Sequence, residues 1–468
     1  VIADAVLSIL RCPKSGESLV ASNDSSFLVS KESGNRYPVI AGVPWLFDDP
    51  EASIWQWRQN VTLYLANESE QEDEIHKLIK QVPRTSVLTR KRLELLRAAK
   101  MHDRRAISSL LHDLTHLTQG AQTPISVARI MSSKLPLTQS LTGYYSNIHR
   151  DWGWDGLVDS DRDENMLAAK LVQTVSSKAL GSGSAGRLAV LGAGCCRLAY
   201  DIHSSMSGLT TVAIDINPFL FAIAKSAMEM QPVTLHEYPL APKDLACHAV
   251  KRKLCAPARV GDGFSFIHAD GLKSPLAPGS MDWLVTPWFV DIVSSAAVDT
   301  IAAINRCLRP GATWTNFGTL VFRGSDIRDQ ISSDEFMELL AAGGFEIVES
   351  RFDSIPYIAS PASSHSRVER VLTLSARKIA EATSQDSRVR KVSPEWSIDT
   401  RLPVPLTPAI QSFFESHSTY AQIVSLVDGN RSADDISRIM SEIFGMTQED
   451  ARLAFLKIAL TVNETEKV

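Results

Sequence analysis

The stretch VLGAGCCRLAYDI, Val190–Ile202, constrains the fold more than any other part of the chain. An apolar strand runs into Gly192-Ala193-Gly194, and a helical pattern begins at once. Glycines at such a point permit a tight turn and let backbone approach a ligand. A Gly-x-Gly after a strand is common, so its meaning depends on the later motifs and their order. TTVAIDI ends in Asp215, 215 − 194 = 21 residues after Gly194, the spacing at which an acidic side chain reaches ribose hydroxyls. FSFIHADGL sets Asp270 at the end of a third strand, where it contacts an adenine amino group or only forms the turn. MDWLVTPWFVD reads as a fourth strand, and CLRPGATWTNFG feeds a fifth through a Leu-Arg-Pro-Gly turn.

Strands alternate with helical patterns across residues 141–378, which argues for an α/β sheet domain; the segment near Leu240–Val260 reads as long and irregular. A chain of 468 residues exceeds one ordinary domain, and 44% hydrophobic residues supply a large core. The net charge of -5 gives no general basic field, so nucleic acid is not an expected partner, and Lys251-Arg252-Lys253 reads as a solvated loop. No apolar run approaches the roughly 20 residues of a membrane span, so no membrane association is expected. VIADAVLSILRCPKSG lacks a basic start and a small-residue cleavage site, so it is not read as a signal peptide. The six cysteines are scattered without a CxxC, which suits free thiols in the cytoplasm.

Four more segments lie on either side of this domain. Residues 1–50 look like a small β-rich module, in which LRCPKSGESL and RYPVIAGVPWL resemble the zinc-ribbon family that includes the activator subunit of tRNA methyltransferases. A structural zinc wants four ligands and only Cys12 is present, so the resemblance implies a docking or packing module that keeps the fold without metal. Residues 51–140 are helical in period; His102, His112 and His116 read as ordinary helix-surface residues, and no metal is expected. Residues 379–396 are polar and serine-rich, a linker. Residues 397–468 form a mostly helical unit with a turn at Asp428-Gly429 and a helix cap at Ser432. VSLVDGNRSADDISRIMSEIFGMTQEDARLAFLKIAL resembles the PqqD-like winged-helix fold of enzymes that modify ribosomal peptides. That resemblance implies binding of a leader peptide or partner protein by strand addition; a plain helical tail or dimerisation unit is the alternative.

Four ordered motifs within residues 141–378 resemble the carnosine N-methyltransferase family: Asn147-Ile148-His149-Arg150-Asp151-Trp152, VLGAGCCRLAYDI, LVTPWFVDIV and LRPGATWTNFGTLVF. An NAD dehydrogenase shares the glycine turn and Asp215 but not the Leu-Arg-Pro-Gly strand. The resemblance implies a class I, Rossmann-like sheet that binds S-adenosyl-L-methionine (SAM). It implies that Asn147 and Arg150 reach across the cofactor, with Arg150 a carboxylate partner, and that Gly192 and Gly194 admit its edge. Arg197 would anchor the methionine end or pack the turn, Asp215 would hold the ribose, Asp270 the adenine, and Thr286 would line the cofactor. Asp291 would face the substrate and steady an imidazole through its second ring N–H.

The sequence also departs from the family. Cys196 replaces a third glycine, and Cys195 and Cys196 read as small buried residues. GTLVF is succeeded by Arg323 where the family has a histidine, and SSHSRVERVLTL replaces its late tyrosines, with Tyr357 and His365 nearby. Asp291, Arg323 and Tyr357 are therefore the candidate catalytic residues, and Arg323 points to an acceptor with an acidic group or to a peptide. The implied activity is methyl transfer to an imidazole or amine nitrogen of a small molecule or peptide. The alternatives are a non-catalytic binding scaffold and an O- or C-methyltransferase of a small acid.

Overall fold

The computed structural model describes residues 2–83, 86–116, 140–180, 186–293, 296–322, 327–382, 401–404 and 426–465. The chain divides into two compact units: Val1–Pro50, Glu68–Asp113 and Thr142–Gln385 form the first, and Glu51–Asn67, Leu114–Leu141 and Asp386–Val468 the second.

A seven-stranded sheet organises the first unit. Its strands are β5 (Arg187–Leu191), β6 (Thr210–Asp215), β9 (Phe264–His268), β10 (Met281–Pro287), β11 (Leu308–Gly318), β12 (Phe345–Tyr357) and β13 (Arg367–Lys378), in the order β12-β13-β11-β10-β5-β6-β9. Strands β9, β6, β5, β10 and β11 run parallel, and β13 alone is antiparallel, to β11 on one side and to β12 on the other. Parallel strands covered on both faces read as continuous apolar runs, and Leu188, Ala189, Val190 and Leu191 are all fully buried. The helices are α5 (Tyr145–Trp152), α6 (Glu164–Leu180), α7 (Arg197–Ser205), α8 (Pro218–Met228), α9 (Ala297–Cys307) and α10 (Ser333–Ala342). The order of connection reverses at β5, so a crevice opens between β5 and β10 at the carboxyl ends of the strands. This is the class I methyltransferase sheet that the motifs imply.

The amino-terminal segment carries α1 (Asp4–Leu7) and an antiparallel sheet of β1 (Leu19–Ala21), β2 (Phe27–Ser30), β3 (Arg36–Ile40) and β4 (Val43–Pro44). It lies against the β9 edge of the large sheet. Leu46 N donates to His268 O at 2.7 Å, Trp45 bridges His268 in parallel, and Arg11 N donates to Pro275 O at 2.7 Å. Val6, Leu10, Leu28 and Tyr37 share one apolar core with Leu191, Ile214, Ile267 and Leu284. The Cys12 thiol sits 3.0 Å from Tyr37 Oη.

Helices α2 (Pro50–Gln81), α3 (Val87–Leu110) and α4 (His112–His116) match the helical period expected up to residue 116; residues 117–139 of the expected helical segment lie outside the described residues. The segment expected to be irregular holds a two-stranded ladder, β7 (Val233–Glu237) with β8 (Val250–Leu254). Lys251-Arg252-Lys253 is therefore strand, not loop. Lys251 and Lys253 are exposed, while Arg252 turns inward and donates to Glu237 at 2.8 Å. The run alternates by the pleat, and its basic composition hid the period of two.

In the second unit, Ser432 starts α11 (Ala433–Phe444) with a capping box closed by Asp435, and Gly445 ends it in the left-handed region. Thr447 and Asp450 open α12 (Gln448–Thr465). Ile436, Met440, Ala451 and Phe455 pack between the two helices. The linker from residue 383 onward and the first expected helix of this unit lie outside the described residues. Among the described residues no helix is long and apolar enough to cross a membrane.

Candidate active site

The glycine turn after β5 adopts positive φ at Gly192 (68°), Gly194 (56°) and Cys196 (64°). A Cβ on Gly192 would fall 2.5 Å from the Phe289 ring, and one on Gly271 would fall 2.8 Å from it. Phe289 thus wedges between the first and third turns and holds the β5, β9 and β10 ends together. Gly194 N donates to Asp215 Oδ2 at 2.8 Å, and Asn217 N donates to Asp215 Oδ1 at 2.9 Å. Asp215 is 9% exposed, and its burial pushes its carboxyl up to about 6 even against these two donors. Asp270 Oδ1 accepts from Leu272 N at 2.9 Å and so shapes the turn after β9.

Cys195 and Cys196 are buried, and burial raises both thiols well above the ordinary range. They are packing residues, as read from the sequence. Trp152 Nε1 donates to Cys195 O at 2.9 Å, which clamps α5 onto the turn.

Arg150 is held by two carboxylates: Nε donates to Asp151 at 2.7 Å and Nη1 to Glu164 at 2.6 Å. Its Nη2 has no hydrogen-bond partner among the described residues. Asn147 is half-buried on the same helix, three residues earlier. His149, between them, is pushed down to about 4 by burial, so it is neutral. Of the two roles expected for Arg197, the structure gives packing. Its guanidinium is spent on Asp151 O at 2.6 Å, on Asp155 at 2.8 Å and on Asp201 at 3.0 Å.

Thr286 is also placed differently from expectation. It is fully buried, donates to Asn316 Oδ1 at 3.0 Å and accepts from Trp314 Nε1 at 2.9 Å. Its hydroxyl is closed inside the sheet, where it lets a bulky indole bury with its N–H satisfied, and it is not offered to a ligand.

Past β10 the chain turns at Trp288, whose φ is 49° and whose N–H donates to Phe317 O at 2.7 Å. Gly318 has φ 147°, and a Cβ there would fall 3.1 Å from the Trp288 backbone. The Trp288 ring meets Tyr357 at 4.8 Å, and the Arg367 guanidinium covers the Tyr357 ring at 4.3 Å. Ile358, at φ 48°, donates its N–H to Glu164 Oε2 at 2.7 Å. Asp291 Oδ2 accepts from Val321 N at 2.8 Å and so fixes the segment after β11. Arg323 lies outside the described residues. Gly192, Gly194, Asp215, Asp270, Thr286 and Asp291 thus sit at or just past the ends of β5, β6, β9 and β10; Asn147 and Arg150 lie on α5, which Trp152 clamps to the first turn, and Tyr357 meets Trp288. Sequence reasoning missed Glu164 and Trp288; the aromatic pair in TPWFVD was a signal for Trp288, but Glu164 has none.

A search of the curated proteins finds no match. Among solved structures, phosphoethanolamine N-methyltransferase 2 of Haemonchus contortus, in complex with phosphomonomethylethanolamine and S-adenosylhomocysteine, is 10% identical with a TM-score of 0.33, over 52% of this chain and 60% of that one. The antibiotic-resistance methyltransferase Kmr is 16% identical with a TM-score of 0.28, over 43% and 91%. The YcgJ protein of Bacillus subtilis is 11% identical with a TM-score of 0.31, over 46% and 99%. A family model described as carnosine N-methyltransferase matches residues 130–367. That match takes in half of the chain and the whole glycine turn, and the chain belongs to the carnosine N-methyltransferase family of SAM-dependent methyltransferases.

Proposed function

We propose that this methyltransferase acts on an imidazole or amine nitrogen of a small molecule or peptide. The observation that carries this is the Trp288–Tyr357 pair, 4.8 Å apart and only partly buried, just beyond the cofactor turn. Aromatic faces hold a flat imidazole by stacking and favour the cation that forms when nitrogen takes a methyl group. The family description points the same way.

The site residues fit the cofactor. The Asp215 carboxylate suits the ribose diol, Arg150 Nη2 suits the methionine carboxylate, and the turn at Gly192 and Gly194 leaves room for close backbone approach. The bound cofactor supplies a methyl group on a sulfonium, already activated, so the protein's task is to hold the acceptor lone pair in line with it. Glu164 fixes Arg150 and the Ile358 N–H together, which ties the cofactor's carboxylate end to the segment carrying Tyr357. Asp291 fixes the segment leading toward Arg323, and Arg323 takes the acceptor's acidic group or a peptide carboxylate. The PqqD-like unit recruits a peptide substrate, the amino-terminal sheet is a packing module, and the free cysteines suit the cytoplasm.

Labelled methyl transfer to imidazole dipeptides, histidine, histidine-containing peptides and small carboxylic acids tests this reading. Product mapped to a ring or amine nitrogen is the expected result. Label found only on oxygen or carbon would defeat it.

A further inference from the structure

Among the described residues, one cluster of metal-ligating side chains lies where α3 meets β7. Asp103, on α3, is 2% exposed. Both oxygens accept from His236 N at 3.1 Å, and beyond that their partners differ. Oδ2 accepts from the hydroxyls of Tyr145 and Tyr238 at 3.1 and 2.8 Å. Oδ1 faces Nδ1 of His236 at 2.8 Å and Nδ1 of His102 at 3.0 Å. The two imidazole rings stand edge to face with centroids 5.0 Å apart. Among the described residues the carboxylate pairs with no lysine or arginine; its only ion-pair partners are these imidazoles, which are cations only when protonated. A buried carboxylate with so little permanent positive charge calls for a cation.

We propose that His102, Asp103 and His236 form a site for a divalent transition-metal ion of the zinc type. One ligand atom from each residue lies within 4.8 Å of the others. Zinc bonds of about 2.0–2.2 Å to nitrogen and oxygen need the two Oδ1–Nδ1 contacts to open by only a few tenths of an ångström. The division of the carboxylate suits a ligand. One oxygen is offered to the imidazoles, and the other is oriented by two hydroxyls in the role that outer partners play around metal sites. Two imidazoles and a carboxylate select zinc, cobalt, nickel or copper over calcium or magnesium. The His102 side chain is 37% exposed and borders a surface cleft of about 500 Å³ that Met101 and Arg105 also line. That cleft is the entry path, and it admits water as a fourth ligand.

Such an ion would tie α3 to β7. Through Tyr145, the first residue of α5, it would also tie both to the helix that carries Asn147 and Arg150. Its role is structural, and the methyl-transfer chemistry does not pass through it.

The test is zinc titration of the chelator-stripped full chain by calorimetry, with cobalt absorption as a second readout. One equivalent should bind and raise Tm, and cobalt should show ligand-field bands without thiolate charge transfer. His102→Ala, at a half-exposed position that folding tolerates, should weaken binding about tenfold or more. Asp103→Asn should abolish it. Absence of saturable binding, unchanged affinity in His102→Ala, or a thiolate band placing the metal on one of the cysteines would each overturn the proposal.

Discussion

Replacing Asp215 with asparagine should move stability and cofactor binding in opposite directions, and by an amount set by its burial. The carboxyl sits at about 6 in the folded chain against 3.8 in a model peptide, because burial outweighs the N–H groups of Asn217 and Gly194. The folded form therefore binds the proton more tightly than the unfolded form. Between about pH 4 and pH 6 stability falls as pH rises, and above pH 6 the full penalty of about 3 kcal/mol is present. In the role proposed for Asp215 a ribose diol would donate to the ionised carboxylate, and the cofactor would repay that penalty on binding. Its affinity should fall as pH drops through 6. At pH 5 about one site in eleven is ionised, and binding should be about tenfold weaker than at pH 8. Asp201, raised to about 6 by burial despite Arg197, titrates in the same window, and the variant separates the two. Calorimetric titration with S-adenosylhomocysteine at pH 8, 6 and 5, with urea unfolding of the free chain at pH 8 and pH 4, gives both quantities. Asp215→Asn should be more stable than the parent at pH 8 and not at pH 4, should bind the cofactor more weakly at pH 8, and should lose most of the pH slope. If the full slope survives in the variant, or if the free variant is less stable at pH 8, the burial argument for Asp215 fails.

Three further changes test the packing around the turn. Gly192→Ala combines a φ of 68° with a Cβ placed 2.5 Å from Phe289, so denaturant unfolding should show a loss of about 2–5 kcal/mol, partly recovered by adding Phe289→Leu; a loss below about 0.5 kcal/mol would contradict the close approach. At Cys196, with φ 64°, the glycine variant should be more stable than the alanine variant by about 1 kcal/mol, the reverse of the usual order, and the usual order would show that the backbone there is not strained. Glu164→Ala should cost about 3–5 kcal/mol because it leaves Arg150 buried with one fewer carboxylate, whereas Lys273→Ala, which breaks the exposed pair with Asp48, should cost under about 1 kcal/mol; equal costs would overturn the distinction.

What the sequence made legible was local in the chain. The strand, glycine turn and helix at Val190–Ile202 and the acid ending β6 are short-range patterns, and each forms where its spacing implies. Long-range pairings were not legible. Arg150 reads as a ligand-binding arginine in its own motif, and only the fold reveals that Glu164 and Asp151 hold two of its nitrogen atoms. Thr286 fits the family pattern, yet the strand pleat turns its hydroxyl toward Trp314 and Asn316. His102 looked like one of three surface histidines on a helix, because its partner His236 is 236 − 102 = 134 residues away. The β7–β8 ladder was hidden for a different reason: three consecutive basic residues look solvated, although a strand at a surface needs only every second side chain inside.

Backbone strain was legible least of all, and it gathers at the site. Ser25, Ala41 and Met230 also have positive φ, but they sit in tight turns or just past a helix end, where such angles are ordinary. Trp288 and Ile358 differ, because a bulky or branched residue avoids this region, and Cys196 differs because it takes this φ fully buried at the start of a helix, where glycine would be the unstrained choice. Each costs on the order of 1–3 kcal/mol and persists only if its surroundings over-determine it. The structure shows what does so. Cys196 is enclosed completely and opens α7. The Trp288 amide is drawn to Phe317 O, with Gly318 allowing the approach. The Ile358 amide is held by Glu164, whose other oxygen holds Arg150. The three clamps lie at the first glycine turn, just past β10 and just past β12, the last two beside the Trp288–Tyr357 pair. A reaction that gains its rate from alignment rather than from acid–base chemistry requires parts that do not move when the acceptor arrives. Strain held by a buried carboxylate and a close glycine contact is a way to build such parts from loops, and it gives Glu164, which holds both Arg150 and the Ile358 N–H, a structural reason to sit between them.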